Sequence, residues 1–594
     1  MALAGIAAAL AGCSSRTNVS ATGNTPATYS HVYVTAQAVW FNGSAGAGPD
    51  DGGWVKFPLS TPVTVDLVAD SGGNFGTLVT DLKLAPGSYA QLRLIPLDAS
   101  APLASSAQTL GAAYNMEADY LDSSGVTHQQ PLELLSPDKG MGIQASLSVP
   151  FGNIGAALAA VNSPAATTPT TSFGVVGTPT TPTTTTPTTT TTTTSTTTTA
   201  QFAVGFDGAR DLTPFTYAGA SAILLNPHEN AYDLSLSGGI QGQLTLTNLT
   251  GISGASGLPD IQVSAESLTA DGSRHFVVAS APVSSSGSFM LYPLASNVSN
   301  PTSYDLVIHG PGIATIIIKS IQIPLASPAA AAGASTGTTS ATTSTGPTPV
   351  QPTNLVSVGT LIPRAASSYS ANIATVATAP LPAGAEVAFY QTLPSAGEVP
   401  YVIAVSPIDP FNQVLANART LSSGTVDSGT YVASGATVTV VSAAPRESAG
   451  SYQVAATAPL YADGLLGTLV SAPATGSVAP PVTVAGLVLA AGGSAATLNA
   501  SVSQASAGKY DQGEILVSRD GQLVASAALD AVLRGGGGTV VLNGLPGGTS
   551  ANVYYLTVRA WNSSNPSGTL TRQWYPAAVD LRSAGAASVA LTLN

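Results

Sequence analysis

The sequence predicts an all-β protein built from tandem β-sandwich domains that are joined by disordered segments. Most of the 594 residues fall into short runs of alternating apolar and polar side chains, separated by clusters of Gly, Pro, Asn and Ser. Such runs are typical of half-buried strands joined by turns. Two further segments contain too few apolar side chains to offset the entropy lost on folding. Candidate helices are few.

The composition excludes several classes of function. The chain has 17 Lys and Arg against 30 Asp and Glu, a net charge of −13, and only 8% of its residues are charged, compared with about 25% in an ordinary soluble protein. An acidic chain without a cationic stripe is unsuited to binding nucleic acid. The single cysteine, Cys13, excludes an intramolecular disulfide framework and a cysteine-based zinc site.

The first element is a predicted signal peptide, residues 1–12, followed by a lipid attachment site. An apolar stretch of signal-peptide length ends in Leu-Ala-Gly immediately before Cys13 and Ser14. This motif resembles the lipobox of bacterial lipoproteins. The resemblance implies a diacylglycerol on Cys13, loss of the preceding peptide, and sorting to the outer membrane because Ser14 follows the cysteine. Buried acyl chains contribute about 0.8 kcal/mol per CH₂ to membrane binding.

One feature departs from the lipoprotein pattern. No Lys or Arg precedes the apolar stretch, and the first cation is Arg16. A start site upstream of Met1 would explain this absence. The alternative interpretation of Cys13 is a stray cysteine in a disordered terminus.

Three segments are predicted to be flexible. Residues 13–28 are rich in Ser, Thr, Asn and Gly and read as a tether between the lipid and the first domain. Residues 163–200 are almost pure Thr and Pro, and residues 327–353 form a disordered linker rich in Ala, Gly, Ser, Thr and Pro.

Residues 29–236 carry a series of motifs, of which the Pro-Gly-x-Tyr-x-Gln-x-Arg-Leu run is the most distinctive. The motifs are His31-Val-Tyr-Val-Thr35, Gly53-Trp54-Val55-Lys56, Val63-Thr-Val-Asp66-Leu67, Pro86-Gly87-Ser-Tyr89-Ala-Gln91-Leu-Arg93-Leu94 and Phe206-Asp207-Gly-Ala-Arg210-Asp211. In this order they resemble the bacterial lipoprotein domain known as domain of unknown function 4382. The resemblance implies an immunoglobulin-like or transthyretin-like β-sandwich on a lipidated protein, with no known activity.

The position of the last motif bears on the Thr/Pro-rich tract. If residues 206–207 close the domain that His31 opens, residues 163–200 are a loop insertion within that domain. Closing a loop of about 40 residues costs only about 1 kcal/mol more free energy than closing a loop of ten residues. The alternative is a plain linker between two domains. Strands from both sides of the tract pairing in one sheet would favour the insertion.

Three further domains follow. In residues 237–326, a Gly-Ser-Phe strand ending at Phe289 precedes the Tyr-Asp-Leu-Val-Ile strand that starts at Tyr304; this resembles the carboxypeptidase regulatory-like, prealbumin-type sandwich, a non-catalytic spacer. Residues 354–476 repeat the strand pattern without a distinctive motif. Residues 477–594 end in a hairpin that resembles an immunoglobulin or fibronectin-like domain.

Charged side chains in the first domain are predicted to be structural. Arg93 and Asp66 are candidates for a buried ion pair, because an isolated buried charge is costly. In the strand pattern, Leu92 and Leu94 face a core while Gln91 and Arg93 take the opposite face.

No catalytic residue, cofactor or metal site is predicted. The five histidines lie far apart, without the spacing of a metal cage, and a Gly-x-Ser-x-Gly match at residues 333–337 falls in the linker rather than at a strand-to-helix turn. Five acidic side chains could supply oxygen ligands for Ca²⁺, but solvated acidic edges and turn hydrogen bonds are the favoured interpretations. These candidates are Glu117, Asp119, Asp122, Asp207 and Asp211.

Aromatic side chains in the first and last domains are candidates for a ligand-binding surface. Trp54 in the first domain and Tyr555, Trp561 and Trp574 in the last are candidates for an aromatic platform that binds glycans. Core packing is the favoured reading, because aromatic residues in short strands usually fill sandwiches.

These observations favour a non-enzymatic, lipid-anchored protein that presents β-sandwich domains at the outer membrane, for adhesion or envelope organisation. Its expected partners are the membrane, through the lipid, and a surface glycan or protein. The alternative is a glycan-binding surface lipoprotein that uses exposed aromatic rings. A hydrolase is the third hypothesis, and it would show a cleft with a carboxylate pair or a Ser–His contact.

Overall fold

The computed structural model describes most of the chain in a series of segments. These are residues 15–26, 28–121, 125–149, 199–228, 230–245, 261–296, 302–324, 352–366, 368–373, 380–391, 399–417, 419–422, 425–434, 437–441, 447–448, 451–465, 470–471, 482–583 and 585–594. The predicted signal peptide, Cys13, Asp122, residues 163–198 of the Thr/Pro-rich tract and residues 327–351 of the predicted linker lie outside the described residues.

The described chain is mostly β, with 63% strand and 5% helix, and its sheets form tandem β-sandwich domains. The predicted fold class is therefore confirmed. Among the helices of the described segments, none has the length and apolar character needed to cross a bilayer.

The first region forms a twelve-stranded sheet that folds over a single large core. Its strands are β1 (Ser15–Asn24), β2 (Tyr29–Asn42), β3 (Val55–Asp66), β4 (Gly76–Leu84), β5 (Gly87–Pro96), β6 (Met116–Leu121), β7 (Thr127–Glu133), β8 (Met141–Val149), β9 (Thr199–Asp207), β10 (Leu212–Tyr217), β11 (Ala220–Leu225) and β12 (Asn230–Asp233). Its short helices are α1 (Ser105–Leu110), α2 (Gly208–Asp211) and a 3₁₀ turn (Leu234–Leu236).

The predicted flexible tether at residues 13–28 is wrong for the part that the structure describes. β1 pairs antiparallel with β4 and parallel with β9, and Val19 and Ala21 are fully buried in the core. Two flanking strands satisfy its backbone hydrogen bonds, and alternate apolar side chains reach the core. The sequence was predicted to be a coil because it is rich in Ser and Thr, although its apolar side chains alternate with a period of two.

Strands before and after residues 150–198 belong to the same sheet. β8 ends before this segment and β9 begins after it, and β12 lies between them. Ala231 of β12 pairs with Ala145 of β8 and with Val204 of β9. This is the pairing that an insertion within one domain requires.

The middle region of the chain, from Ser237 to Ala491, forms several sheets. Some of these sheets combine strands from before and after the predicted linker. The strands before the linker are β13 (Ser237–Leu244), β14 (Gln262–Leu268), β15 (His275–Pro282), β16 (Ser288–Ala295), β17 (Thr302–His309) and β18 (Thr315–Ile323). Those after it are β19 (Leu355–Leu361), β20 (Ser368–Ile373), β21 (Glu386–Gln391), β22 (Tyr401–Pro407), β23 (Arg419–Ser422), β24 (Thr425–Ser434), β25 (Thr437–Val441), β26 (Glu447–Ser448), β27 (Ser451–Thr457), β28 (Tyr461–Ala462), β29 (Gly464–Leu465), β30 (Val470–Ser471), β31 (Val482–Val484) and β32 (Ala490–Ala491).

Strands from the predicted domains 237–326 and 354–476 share two of these sheets. β13 pairs in parallel with β19, and β18 pairs in parallel with β24. The two predicted domains are therefore joined by main-chain hydrogen bonds, in addition to the packing of their side chains.

The last region is a two-sheet sandwich that packs around its own core. Its strands are β33 (Ser494–Gln504), β34 (Gln512–Arg519), β35 (Gln522–Ala528), β36 (Gly537–Gly547), β37 (Val553–Trp561), β38 (Thr571–Asp580) and β39 (Ala586–Leu593), with helices α3 (Asp530–Arg534) and α4 (Pro566–Thr569). One sheet has the order β36-β33-β39 and the other β35-β34-β37-β38. β33 shows the expected alternation, because Leu498, Ala500 and Val502 are buried while Ser501 and Ser503 are exposed.

The last region folds back onto the first. The β34–β35 hairpin turns at Asp520 and Gly521, whose φ angles of 54° and 86° suit a two-residue type I′ turn. Gly142 N–H donates to the carbonyl of Asp520 over 2.9 Å, and Leu523 N–H donates to Asn226 Oδ1 over 2.7 Å. The tip of the hairpin is thereby bonded to the first region.

This docking overturns the prediction that β5 has a solvent face. Gln91 and Arg93 are 1% and 0% exposed, because the tip of the β34–β35 hairpin packs against Arg93. β37 likewise has both of its faces buried over almost its whole length.

Candidate functional site

The residues of the last family motif form a polar cluster between the first region and the middle of the chain. β9 ends at Asp207, whose carboxylate accepts a hydrogen bond from Ala209 N–H at the start of α2 over 3.2 Å. Ser280 of β15 donates its hydroxyl to the same carboxylate over 3.0 Å. Asn24 at the end of β1 donates its amide to Ser280. Asp207 therefore links three strands that are distant in sequence.

Asp211 has a structural place in this cluster. Its side chain is buried and accepts hydrogen bonds from Asp207 N–H over 2.7 Å and from His228 N–H over 2.9 Å. Its two oxygens hold the α2 turn and the following loop, in keeping with the turn hydrogen bonding that was favoured from the sequence.

Glu386 of β21 neutralises the cations of the cluster. Arg210 donates Nε to Oε1 over 3.1 Å and Nη2 to Oε2 over 2.7 Å, which is a bidentate pair. His228 Nε2 lies 3.6 Å from Glu386 Oε1, and His228 Nδ1 lies 3.4 Å from Asp211 Oδ1. Glu386 and His228 were not singled out from the sequence, and Glu386 lies 176 residues from its partner Arg210.

The cluster shifts the pKa values of its members. Burial raises the pKa of Asp207 to about 6, against the opposing effect of Arg210. Burial alone would lower the pKa of His228, but Glu386 and the hydrogen bond with Asp211 outweigh it, so the pKa is raised. The cluster therefore holds protons more tightly than its separate side chains would in water.

A cleft of about 640 Å³ opens beside this cluster. The first region contributes Asn24, Asp207, Asn230 and Tyr232 to its walls. The middle region contributes Gln241, Gln243, Ser280 and Met290. Ser280, its central hydroxyl, contacts Asn24 and Asp207, and within the described residues no histidine is bonded to it.

The acidic pair Glu117 and Asp119 lies on β6, inside the first region. Glu117 Oε2 accepts hydrogen bonds from the N–H groups of Ala113 and Tyr114 over 2.7 and 2.6 Å, and Oε1 accepts one from Gln129. Burial, and then Asp119, raise the pKa of Glu117 to about 7. Across the described segments, no group of three or more His, Cys, Asp or Glu side chains is placed to hold a metal ion.

Trp54 packs as a half-buried side chain beside the first core. Its Nε1 donates to the carbonyl of Gly48 over 2.8 Å, and its ring centre lies 6.0 Å from that of Trp40. The Arg93 guanidinium lies 5.3 Å from the Trp54 ring centre. One face of the indole therefore covers a buried charge.

The three aromatic candidates of the last region lie at its contact with the first. Tyr555 is buried and donates its hydroxyl to Asp50 over 2.7 Å. Trp561 is fully buried and packs edge-on against Tyr217. Trp574 is half-buried and donates Nε1 to the carbonyl of Leu134. The rings of Tyr555 and Trp561 contact protein, so they do not form the exposed platform that glycan binding would require.

Ion pairs accompany this aromatic contact. Arg559 is bonded to Glu514 within the last region, and its Nε lies 3.5 Å from Glu133 of the first. Arg572 also donates Nε and Nη2 to the two carboxylate oxygens of Glu133. Burial raises the pKa of Glu514 to about 7 against the effect of Arg559.

The predicted pair of Arg93 with Asp66 is wrong. Arg93 is bonded to Asp520 of the last region, whereas Asp66 Oδ2 lies 2.6 Å from His31 Nδ1. The sequence correctly indicated that Arg93, in a strand, needs a buried partner. It could not identify Asp520 as that partner, because the two residues are 427 positions apart.

The comparisons with known proteins identify one domain. Residues 15–227 match the family model described as Domain of unknown function (DUF4382), which confirms the resemblance found for the first region. The match begins 14 residues before the predicted start at residue 29 and so takes in β1. No curated protein matches the chain.

The solved structures with some similarity include two bacterial pilins. The Bacillus anthracis TIE protein is 10% identical, with 98% of this chain and 73% of that chain covered and a TM-score of 0.15. The shaft pilin SpaA of Lactobacillus rhamnosus GG is 14% identical, with 38% and 98% covered and a TM-score of 0.16. The major pilin subunit BcpA of Bacillus cereus is 8% identical, with 60% and 99% covered and a TM-score of 0.12. These scores are too low to carry an argument about this chain.

Proposed function

We propose that this chain is a non-enzymatic, lipid-anchored protein of the bacterial outer membrane, whose β-sandwich domains form one stiff surface unit for adhesion or envelope organisation. The observation that supports it best is that several of the few charged side chains form ion pairs between domains. In a chain with only 8% charged residues, several buried ion pairs join domains to one another. These ion pairs hold the domains in fixed positions relative to one another.

The separations of these pairs in the sequence show how they act. Arg93 and Asp520 are 427 residues apart, Arg572 and Glu133 are 439 apart, and Arg210 and Glu386 are 176 apart. Moving two domains apart would leave buried groups such as Arg93 without their partners, and an uncompensated buried charge is strongly destabilising. A unit whose domains keep their relative positions is suited to presenting a surface at a distance from its anchor.

The proposal that the protein is not an enzyme is supported by the contacts of its polar groups. Asp211, Glu117 and Glu386 use their oxygens to hold backbone N–H groups or cations. Ser280 is held between Asn24 and Asp207, and in the described part of the chain no hydrogen bond joins its hydroxyl to a histidine. These are the contacts of a scaffold.

The anchor is tested by metabolic labelling with palmitate. The full-length chain, expressed from its own gene, should take up label, and Cys13→Ala should take up none, because the cysteine sulfur carries the diacylglycerol. Ser14→Ala, the matched control, should be labelled like the wild type. Unchanged labelling of Cys13→Ala would contradict the anchor.

The surface role is tested on intact cells. Antibody against the folded chain should stain cells that express the wild type, and these cells should attach to a surface at least fivefold better than cells expressing Cys13→Ala, which release the protein. Equal attachment with intact surface staining would argue against adhesion. An unchanged sensitivity of the envelope to detergent in the deletion strain would then also exclude envelope organisation.

A further inference from the structure

The cleft between the first region and the middle of the chain has walls of unusual chemistry. Side-chain amides come from both sides, with Asn24 and Asn230 facing the cleft from the first region and Gln241 and Gln243 from the middle region. An amide offers a donor and an acceptor at once. The volume of about 640 Å³ lies within the range of about 300–1,000 Å³ that small-molecule sites occupy.

The cations that line the cleft are paired with buried carboxylates. Apart from tyrosines, its ionisable lining groups are Asp207, Arg210 and His228. Arg210 is held in a bidentate pair by Glu386, and His228 lies 3.4 Å from Asp211 Oδ1 and 3.6 Å from Glu386 Oε1. A phosphorylated or sulfated ligand would find no uncompensated cation here, and this favours a neutral ligand.

The floor of the cleft has hydrogen-bonding groups already in place. Asn24, Ser280 and Asp207 form a hydrogen-bonded chain. Oδ1 of Asn24 is buried and accepts no hydrogen bond from the described residues. A ligand hydroxyl that reached this oxygen would supply the donor that it lacks.

Apolar surface lies next to these polar groups. Met290 and Tyr232 are half-buried in the cleft wall, and Tyr292 packs edge-on against Phe75 behind it. A sugar ring has the matching pattern, since its hydroxyls bond to amides and carboxylates while its C–H face packs on apolar side chains.

We propose that this interdomain cleft is a binding site for a neutral saccharide of a few rings, held through the amides of Asn24, Asn230 and Gln241 and packed against Met290. The site lies apart from the four aromatic candidates. It goes beyond the proposed surface function, because it depends on neither the lipid nor adhesion.

The experiment uses the purified full chain and neutral trisaccharides as probes. Maltotriose, cellotriose, mannotriose and chitotriose are titrated by calorimetry, with trigalacturonic acid as the acidic comparison. At least one neutral probe should bind, and the acidic probe should bind at least tenfold more weakly. Absence of binding by every neutral probe, or equal binding of the acidic probe, overturns the proposal.

Variants locate the binding. Gln241→Ala and Asn230→Ala each remove one amide from the wall and should raise the Kd at least fivefold. Gln130→Ala, an amide of β7 outside the cleft lining, should leave the Kd unchanged. Melting temperatures show whether each variant is folded. If Gln241→Ala unfolds, the test relies on Asn230→Ala. Asn230 is exposed, so this variant should remain folded. A Kd that neither variant alters overturns the assignment to this cleft, while the palmitate and attachment assays remain unaffected.

Discussion

Nη2 of Arg93 lies 2.5 Å from Oδ1 of Asp520, and this contact joins the first region to the last. The Arg93 side chain is completely buried, and its other hydrogen bonds go to the carbonyls of Lys139 and Gly140. Asp520 sits at the type I′ turn of the β34–β35 hairpin. A hairpin tip from one end of the chain thus provides the counter-charge for a strand near the other end.

Asp520→Asn should weaken this contact while keeping the turn, because Asn tolerates a positive φ angle. The buried guanidinium would lose a charge-assisted bond, and the free energy of unfolding should fall by about 2 kcal/mol. Urea unfolding measures the change. Asp81→Asn, which removes an exposed pair with Arg16, is the control and should have no measurable effect. Equal stability of the two variants would show that Asp520 contributes only its carbonyl.

Arg559→Leu should be among the most destabilising single substitutions. It leaves Glu514 buried without its partner, and breaking a buried pair from one side costs about 3–5 kcal/mol. Adding Glu514→Gln to Arg559→Leu should recover part of this loss, because the orphaned charge is then removed. The exposed pair partner Arg582 provides the control, Arg582→Ala, for which no change is expected. A double variant no more stable than Arg559→Leu would contradict this account.

Gly384→Ala should disturb the junction of the middle and last regions. A Cβ atom on Gly384 would lie 1.8 Å from the carbonyl oxygen of Leu523, which is part of the backbone. Overpacking of this kind typically costs about 1–3 kcal/mol. Scattering should show a larger radius of gyration, whereas Gly46→Ala, with open space around its Cβ, should match the wild type. An unchanged radius together with unchanged stability would refute the close approach.

The protein should lose stability as the pH rises from about 4.5 to 8. Glu266 is buried and accepts hydrogen bonds from Val402 N–H and the Ser264 hydroxyl. Burial raises its pKa to about 8, so between these pH values the folded state binds a proton that the unfolded state releases. The contribution of Glu266 to stability is therefore fully present below about pH 4.5, declines between pH 4.5 and 8, and is lost once the pH has risen through 8.

Glu266→Gln tests this assignment. Gln imitates the protonated carboxyl, so the variant should lose about 3–4 kcal/mol less than the wild type between pH 5 and pH 8. Urea unfolding at both pH values gives the difference. The control Asp81→Asn should keep the pH dependence of the wild type. Parallel pH profiles for Glu266→Gln and the wild type would assign the proton to another carboxyl group.

The fold class was predictable because local alternation decides it. In β33, Leu498, Ala500 and Val502 face the core with polar residues between them, and the period of two is visible in the sequence. The pattern failed at β5 and β37, where both faces are buried. Docking between distant regions covers their outer faces, and no local period reports such a contact.

The candidate site was predictable in part. Asp207 and Asp211 were identified through the family motif, and turn hydrogen bonds were the favoured interpretation. Glu386, His228 and Ser280 were missed, since none of them belongs to a motif and since Glu386 and Ser280 come from the middle region. β1 was missed for another reason. Composition rich in Ser and Thr argued for a coil, while its order comes from strands β4 and β9 on either side.

If the proposed lipid is attached to Cys13, the early start of β1 limits how the molecule can move on a bilayer. The strand begins at Ser15, so a lipid on Cys13 would be separated from an ordered sheet by a single residue. At about 3.6 Å of reach per residue, the anchor would have almost no slack. The tilt of the domains relative to the lipid headgroups would then be set by the direction of β1. The domain farthest from the lipid would therefore move over only a small range of positions.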